Sequence, residues 1–354
     1  MNTAVFYSPK FLEHDTGPDH PEVPQRLRVI IKDLNQSGLL DKEKCALVEP
    51  TPIYREYLEL VHEADYIRLV EQTCSRGGGI LDLGDTVVSR KSCDAAFLAA
   101  GALIDSINMV KERKAKNAFA LVRPPGHHAG AYYALGFCLF NNVAVGASYL
   151  LHRFNLERVL IIDIDTHHGN GTQEIFYKSK TVLYISIHED PTGFPGTGFV
   201  DEVGDGEGMG YTVNVPLPFR IDDSIYSRAF DEITVPIAKQ FKPQFVLVSA
   251  GFDGHYTDPV GNLSLSMKCY EEIFDKIVGL ADELCDGKLV VTLEGGYSLN
   301  FLGKMVTGAI SRMAGTSLSV DDSRRTATMR VRKSAERMIK NAKQVQSSFW
   351  KLQT

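Results

Sequence analysis

Cysteine is scarce in this chain, and its spacing excludes two common kinds of site. The 354 residues include six cysteines, at positions 45, 74, 93, 138, 269 and 285, and no pair has the CxxC spacing. A zinc ribbon and a dithiol redox site are therefore excluded. Scattered thiols in a chain of this size favour a reduced, cytoplasmic protein over a disulfide framework.

Long hydrophobic runs and excess positive charge are missing as well. The N-terminus has no basic start followed by an apolar run, so no signal peptide is predicted. No run of about 18 consecutive apolar residues occurs, so no membrane-spanning helix is predicted. The formal net charge of −6 gives no general reason to expect nucleic-acid binding. We therefore expect a globular protein that needs neither a membrane nor a nucleic acid.

What the chain does contain is a set of buried strands. Five short runs are rich in Val, Ile and Leu without polar alternation, as is typical of strands covered on both faces: 117–126, 159–165, 181–188, 245–251 and 288–296. Between them, segments 93–114 and 267–285 have apolar residues at helical spacing. Strands that alternate with helices predict an α/β fold, a parallel sheet between helices. No linker or repeat divides the chain, so we predict one catalytic domain over residues 1–317.

A basic tail, 318–354, follows this domain. From Arg324 to Lys351 it contains nine basic residues and one acid, Glu336, a local charge of +8 (nine minus one) on a predicted helix. One interpretation is a solvated helix that packs its apolar side on the domain. That side comprises Val331, Ala335, Met338 and Ile339. The other interpretation is a contact surface for an acidic partner or a nucleic acid, and the oligomeric state is open.

Unusual polar residues stand at or just after the ends of four of the five predicted strands. They are His127 and His128, then Asp163, Asp165, His167 and Asn170, then Asp253, and finally Glu294 and Tyr297. In open parallel sheets, ligands bind beyond the carboxyl ends of the strands. The pattern therefore predicts a functional site at that edge of the sheet.

Three of these residues form a candidate metal site. Asp165 and His167 are alternate residues leaving a predicted strand, so their side chains should point the same way. With Asp253 they supply two carboxylates and one imidazole, and three protein ligands with an open position suit catalytic zinc. Iron(II) or cobalt would fit the same ligands. Gly254 and His255 stand where a second ligand pair would follow Asp253, which disfavours a two-metal site.

The remaining polar residues suit proton transfer. An acid behind one imidazole raises its pKa and a neutral amide does not, so Asp163 and Asn170 could make His127 and His128 differ. Two such histidines can divide general-base and general-acid work. Tyr297, after two glycines, could donate a hydrogen bond to a developing oxyanion. Together these groups predict hydrolysis of an amide.

The motifs also resemble a known family. "RPPGHHA", "GFCLFNN", "DIDTHHGNGTQ", "FPGTG" and "LEGGY" are similar to those of the histone deacetylase superfamily, which includes acetylpolyamine amidohydrolases and bacterial acetoin-utilisation proteins. The resemblance runs in order from "HPEVPQRL" (20–27) to Tyr297. It implies the arginase–deacetylase fold, with one eight-stranded parallel sheet between helices. It also implies a zinc-dependent deacetylase acting on acetyl-lysine of a protein or peptide.

The resemblance assigns roles residue by residue. It implies zinc ligation by Asp165, His167 and Asp253, tandem catalytic histidines at His127 and His128 backed by Asp163 and Asn170, and a transition-state tyrosine at Tyr297. Asn170 in place of aspartate is similar to the class II branch. A structural K⁺ is implied at an inner set of carbonyls, Asp163, Asp165, His167, Ser186 and Ile187, and an outer set, Phe176, Ser179, Val182 and Tyr211. The residues of the outer set could equally be ordinary loop backbone that binds no ion.

The implied substrate contacts favour lysine. Gly136, Phe137 and Phe194 match the acyl-lysine tunnel, and Asp85 matches the acid at its rim. Polyamine-preferring relatives have a glutamate where this chain has Val260, so lysine substrates are favoured here. His255 and Tyr256, expected near the rim, could modify this preference. A polyamine or small-amide deacylase and an inactive acetyl-lysine reader are the alternative functions.

Overall fold

One eight-stranded parallel sheet organises the chain. The computed structural model describes residues 1–40, 44–82, 84–318 and 322–352. The strands are β1 (Thr3–Phe6), β2 (Cys45–Val48), β3 (Gly78–Ile80), β4 (Val87–Ser89), β5 (Asn117–Ala120), β6 (Val159–Asp163), β7 (Val182–Glu189), β8 (Thr212–Leu217), β9 (Phe245–Ala250) and β10 (Leu289–Leu293). The main sheet has the order β2-β1-β5-β10-β9-β6-β7-β8, and β3 and β4 form a separate antiparallel hairpin. The predicted α/β fold with one parallel sheet between helices is confirmed.

Helices cover this sheet. They are α1 (Gln25–Gln36), α2 (Arg55–Leu58), α3 (Ala64–Ser75), α4 (Ser92–Lys111), α5 (Asn142–Phe154), α6 (Asn170–Phe176), α7 (Asp223–Ala229), α8 (Val235–Phe241), α9 (Met267–Cys285), α10 (Leu302–Met313) and α11 (Met329–Gln346). A π-helical turn, Phe230–Thr234, joins α7 to α8. Helices α4 and α5 pack on each other and on central strands, while α1, α9 and α10 form a second packed group.

The sequence predicted the centre of the sheet better than its edges. All five predicted strands are present, although β5 ends at Ala120 and the segment after it continues as a loop. The pattern missed β1, β2 and β8, which lie toward the two edges of the sheet. β1 and β2 have four residues each, too few for a clear pattern, and β8 contains Asn214 and Pro216.

Helix α4 is long and apolar enough to cross a membrane by length and composition alone. Its most apolar window is 67% buried inside the domain. It packs against α5 and β5, so its apolar composition is explained by burial on several sides.

The basic tail forms α11, which covers the edge strand β8. Ala335, Ile339 and Ala342 are buried against the domain. The Gln346 side chain donates to Thr212 O at 3.2 Å, so part of the exposed strand edge is satisfied. Val331 and Met338, predicted on the packed side, are only partly buried.

The basic side of α11 is exposed, at Arg330, Lys333, Arg337 and Lys340. The interpretation of this side as a contact surface for an acidic partner or a nucleic acid therefore stays a prediction. Residues 319–321 and 353–354 of the predicted tail lie outside the described residues, and the 317/318 boundary stays a prediction.

Candidate active site

The predicted polar residues meet around one cavity at the carboxyl edge of the sheet. The cavity has a volume of about 530 Å³, within the usual range for small-molecule sites. Its lining includes His127, His128, Asp165, His167 and Tyr297 together with Gly136, Phe137, Phe194, Asp85 and Val260. Asp163, Asn170 and Asp253 stand directly behind these residues, bonded to His127, His128 and His167 respectively. The structure therefore brings all the residues with predicted catalytic, zinc and substrate roles to one place.

The candidate metal ligands lie in a turn, which corrects the sequence interpretation. β6 ends at Asp163, so Asp165 and His167 are not alternate residues of a strand. The turn is held by its own side chains: Asp165 N–H donates to Asp163 Oδ1 at 3.1 Å, and His167 N–H donates to Asp165 Oδ1 at 2.9 Å. Ligand atoms of Asp165, His167 and Asp253 nevertheless all lie within 4.8 Å of one another.

This cluster fits a divalent metal. Both carboxylates are buried, and His167 Nδ1 lies 3.0 Å from Asp253 Oδ2 and 3.3 Å from Asp165 Oδ1. Burial opposes a charge on His167, but its hydrogen bonds to the two carboxylates outweigh burial and raise its pKa well above the ordinary value. Two buried carboxylates require positive charge, which a metal supplies. A side chain at Gly295 would collide with Asp253 Oδ2, at 2.5 Å, so glycine keeps the space beside the cluster open.

A second group of potential ligands includes two residues that line the cavity, His127 and Cys138, and one that does not, Glu294. His127, Cys138 and Glu294 are close enough to share an ion. The Glu294 carboxylate, however, already accepts from Gly126 N–H at 2.7 Å and from Ser249 Oγ at 2.9 Å. Burial raises the pKa of the Cys138 thiol well above its usual value, so it is not a thiolate. Glu294 therefore acts as a support for the loop that carries the tandem histidines, and burial raises its pKa to about 7.

The two tandem histidines have opposite electrostatic environments. His127 Nδ1 lies 3.1 Å from Asp163 Oδ2, and His128 Nδ1 lies 2.8 Å from Asn170 Oδ1. Burial disfavours the charged form of both rings. For His127 the charges of Asp165 and Asp163 outweigh burial and raise its pKa to about 10. For His128 burial and the neighbouring His127 lower the pKa well below its ordinary value. These surroundings favour the protonated form of His127 and the neutral form of His128.

Tyr297 is held as a hydrogen-bond donor. Its backbone N–H donates to Asp258 Oδ2 at 2.7 Å, and the Arg26 guanidinium lies 4.8 Å from the ring centroid. Burial raises the pKa of the phenol well above its usual value, although Arg26 opposes this shift. The phenol therefore keeps its proton. The sequence showed no role for Asp258 beyond its place before Pro259.

Two aromatic rings form the walls of the cavity. The Phe194 ring lies 4.9 Å from the His128 ring, and the Phe137 ring lies 5.9 Å from the Tyr297 ring. Gly136 lies between them with φ +54°, and an added Cβ would stand 2.5 Å from the His128 ring. Only glycine permits this close approach.

Other supports of the cavity were not recognised from the sequence. Glu22 forms buried ion pairs with Arg26 at 2.9 Å and with Arg123 at 2.5 Å, and Arg26 also donates to Gly296 O at 2.6 Å. Glu189 lines the cavity and accepts from Asn262 N–H at 2.8 Å. Two features of the sequence could have indicated these supports. Glu22 and Arg26 belong to the motif "HPEVPQRL", and Glu189 directly follows the predicted strand 181–188.

The expectation for His255 and Tyr256 is wrong. The His255 side chain is fully buried and bonded to Thr257 and Asp322, at 2.8 and 2.9 Å. Tyr256 packs under the Arg325 guanidinium, 4.4 Å from the ring centroid. Neither residue lines the cavity, because the His255 side chain is bonded to Asp322 and Tyr256 packs on Arg325 instead.

The predicted potassium carbonyls belong to β6, α6 and β7 and to the segments next to α6, β7 and β8. Asp163 and Ser186 are register partners on β6 and β7, so the inner set begins at two adjacent strands. In the outer set, Phe176 O accepts from Ser179 N–H and Tyr211 O accepts from Tyr184 N–H, both at 2.9 Å. A carbonyl has two lone pairs, so these bonds leave room for a cation. The potassium sites stay a prediction.

Comparison with known proteins gives one consistent result. The sequence profile described as "Histone deacetylase domain" matches residues 20–313. A "Probable deacetylase" of Archaeoglobus fulgidus is 41% identical, with 99% of both chains covered. "Histone deacetylase 15" of Arabidopsis thaliana is 40% identical over 89% of this chain, which spans 57% of that protein. A solved structure, "Crystal Structure of HDA15 HD domain", superposes with a TM-score of 0.88 at 37% identity, covering 99% of this chain and 95% of that one.

Proposed function

The chain belongs to the histone deacetylase family, and from this premise we propose that it is a zinc-dependent hydrolase of the acetyl amide of acetyl-lysine in proteins or peptides. The observation that carries the proposal is the single cavity in which the Asp165–His167–Asp253 cluster faces two histidines and a tyrosine. The two histidines and the tyrosine line that cavity, and the cluster that would hold the metal borders it, which is the arrangement that hydrolysis of an amide needs.

The protein side chains divide the proton transfers. Zinc held by Asp165, His167 and Asp253 would supply an activated water and polarise the acetyl carbonyl. His128, kept neutral, accepts the proton of the attacking water. His127, whose protonated form is favoured by the charges of Asp165 and Asp163, donates a proton to the leaving amine. Tyr297 donates to the oxygen that becomes negative in the transition state.

The cavity walls select the substrate. Phe137 and Phe194 line the cavity, and their rings would flank the apolar stem of a lysine side chain and exclude water from it. Asp82, Asp85 and Glu189 add carboxylates to the lining, and in the described part of the chain no Lys or Arg lines the cavity. These charges favour a cationic substrate. Acetylated polyamines, which are also cationic, are the second candidate, and Val260 is the residue that argues against them.

The test is a deacylation screen. Purified zinc-loaded protein is assayed with acyl-lysine peptides and with acetylated polyamines, and chelated protein is restored with zinc, iron(II) or cobalt as a comparison. We expect the highest kcat/KM for acetyl-lysine peptides with a zinc-restored enzyme. If only acetylated polyamines are hydrolysed, they become the substrate in place of acetyl-lysine. If the peptide binds but is not hydrolysed, the protein is an acetyl-lysine reader.

Substitution of Val260 tests the substrate preference. In Val260→Glu a carboxylate would lie at the cavity wall, where the distal ammonium of a polyamine can reach it. We expect the ratio of kcat/KM for acetylputrescine over acetyl-lysine peptide to rise roughly tenfold, the effect of about 1.4 kcal/mol. Val260→Gln, equal in length but uncharged, is the control and should leave the ratio near that of the parent. An unchanged ratio in Val260→Glu would place the selectivity elsewhere.

A structural potassium ion is a further part of the proposal. Carbonyl oxygens are suitable ligands for a hard cation. Asp163 and Ser186, two of the proposed ligand residues, are register partners on adjacent strands. We expect a higher Tm in KCl than in NaCl at equal ionic strength. Equal melting temperatures in the two salts would remove the potassium ion from the proposal.

We place the protein in a reducing, cytoplasmic compartment. All six cysteines are free thiols, and five of them are buried. Such usage is typical of compartments that keep thiols reduced. Fractionation of cells that produce the protein would test the location.

A further inference from the structure

A chain of hydrogen bonds runs from His128 to the protein surface. Asn170 Oδ1 lies 2.8 Å from His128 Nδ1, and Asn170 Nδ2 lies 3.2 Å from the Tyr133 hydroxyl. Tyr133 OH in turn lies 2.6 Å from Glu174 Oε2. Asn170 and Glu174 are one turn apart on α6, so both face the same side of the helix.

The donors and acceptors allow one direction for this chain. Glu174 is exposed, and its carboxylate oxygen Oε2 accepts the hydrogen bond that the Tyr133 hydroxyl donates. The single Tyr133 proton therefore goes to Glu174. The Tyr133 oxygen must then accept from the amide of Asn170. This orients the amide nitrogen toward Tyr133 and its oxygen toward His128.

The consequence for His128 is a defined tautomer. Because Asn170 presents its oxygen, His128 Nδ1 must carry the proton that bridges them. Nε2 then keeps its lone pair, on the ring edge away from Asn170. The second amide hydrogen of Asn170 points to His128 O at 3.4 Å, which also resists a flip of the amide.

The neighbouring histidine needs no such arrangement. The carboxylate behind His127, Asp163, can only accept, so it selects an Nδ1 proton by itself. An amide selects nothing, because it offers a donor at one end and an acceptor at the other. Something outside Asn170 must therefore decide which end faces His128.

We propose that Tyr133 and Glu174 are positioning residues that fix the tautomer of His128, so that its unprotonated Nε2 faces the substrate. Glu174 sets the direction of the Tyr133 hydroxyl, Tyr133 sets the orientation of the Asn170 amide, and the amide sets the proton on His128. Burial and then the bond to Glu174 raise the pKa of Tyr133 above its ordinary value, so its hydroxyl stays a donor. The catalytic consequence rests on the proposed role of His128 as base, whereas the tautomer itself does not.

Glu174→Gln tests the direction of the chain. A glutamine amide can donate to the Tyr133 oxygen, which frees the Tyr133 proton to donate to Asn170 and lets the Asn170 amide turn over. His128 would then carry its proton on Nε2 in part of the molecules. Tyr133→Phe removes the link altogether. Tyr132→Phe is the matched control, because Tyr132 is exposed and its hydroxyl is not part of the chain.

The decisive readout is the tautomer of His128 by ¹⁵N NMR of histidine-labelled, zinc-loaded protein, with the signal assigned by its loss in His128→Gln. We expect an Nδ1 proton in the parent and in Tyr132→Phe, and a mixture of tautomers in Glu174→Gln and Tyr133→Phe. We also expect kcat to fall roughly fivefold in these two variants with KM unchanged, as loss of about one net hydrogen bond predicts.

Two results would overturn the proposal: a proton on Nε2 of His128 in the parent, or an unchanged tautomer in both variants. A lowered Tm with the parent tautomer would give Tyr133 and Glu174 a structural role only, which also contradicts it. If the parent hydrolyses no acetyl-lysine peptide, the proposed function fails while the NMR result still decides the tautomer.

Discussion

Asp253→Asn is expected to abolish metal binding and hydrolysis together. Asp253 supplies one of two carboxylates in a three-residue cluster, and its Oδ1 also accepts from Thr166 N–H at 3.0 Å. An asparagine oxygen can keep the Thr166 bond but not the charge that the metal needs. Loss of an outer partner of a metal site costs roughly 10- to 100-fold in affinity, so loss of a direct ligand should exceed that range.

The isosteric change also separates metal loss from unfolding. Burial, and to a lesser extent the charge of Asp165, raise the pKa of Asp253, so the ionised carboxylate destabilises the metal-free protein. A neutral amide removes that destabilisation, and we expect a Tm close to that of the metal-free parent. Zinc content is measured after dialysis, together with kcat/KM. We expect Asp253→Ala to lose zinc and activity as Asp253→Asn does. Asp201→Ala, which removes an exposed aspartate, is the control. Stoichiometric, tight zinc in Asp253→Asn would remove Asp253 from the ligands.

Tyr297→Phe is expected to lower kcat by a factor on the order of 10²–10³, the usual loss for one oxyanion donor. The phenylalanine ring keeps the packing on Phe137, 5.9 Å away, and under Arg26, so the fold and the zinc content should not change. Substrate binding should change little, because the hydroxyl acts only as negative charge develops on the carbonyl oxygen. The loss should therefore appear in kcat and kcat/KM, with KM shifted modestly.

The control and the contrary outcomes are clear. Tyr256→Phe removes a hydroxyl outside the cavity and should turn over substrate as the parent does. Parent-like rates in Tyr297→Phe would exclude Tyr297 from the mechanism. An equal loss in binding and in rate would instead make Tyr297 a binding residue.

The sequence alone determined the residue types of the candidate site, because they stand next to strands in the chain. The runs at β5, β6, β7, β9 and β10 are mostly apolar and show no polar alternation, since these strands are buried on both faces. Parallel strands place their carboxyl ends at one edge, so the polar residues that follow them could be predicted to meet. The types of Asp163 and Asn170 predicted that His127 and His128 would differ, whereas the contributions of Asp165 and of burial came from the structure.

Only the tertiary structure decided which distant groups support that site. Arg26 bonds to Gly296, 270 residues away, and Tyr133 bonds to Glu174, 41 residues away. No periodicity or spacing encodes such pairs, because they depend on how whole elements pack. The burial of His255 and the position of α11 over β8 were unpredictable for the same reason. The pattern of apolar residues within a segment indicates which side chains the segment buries. Which segments contact each other depends on the packing of the entire domain.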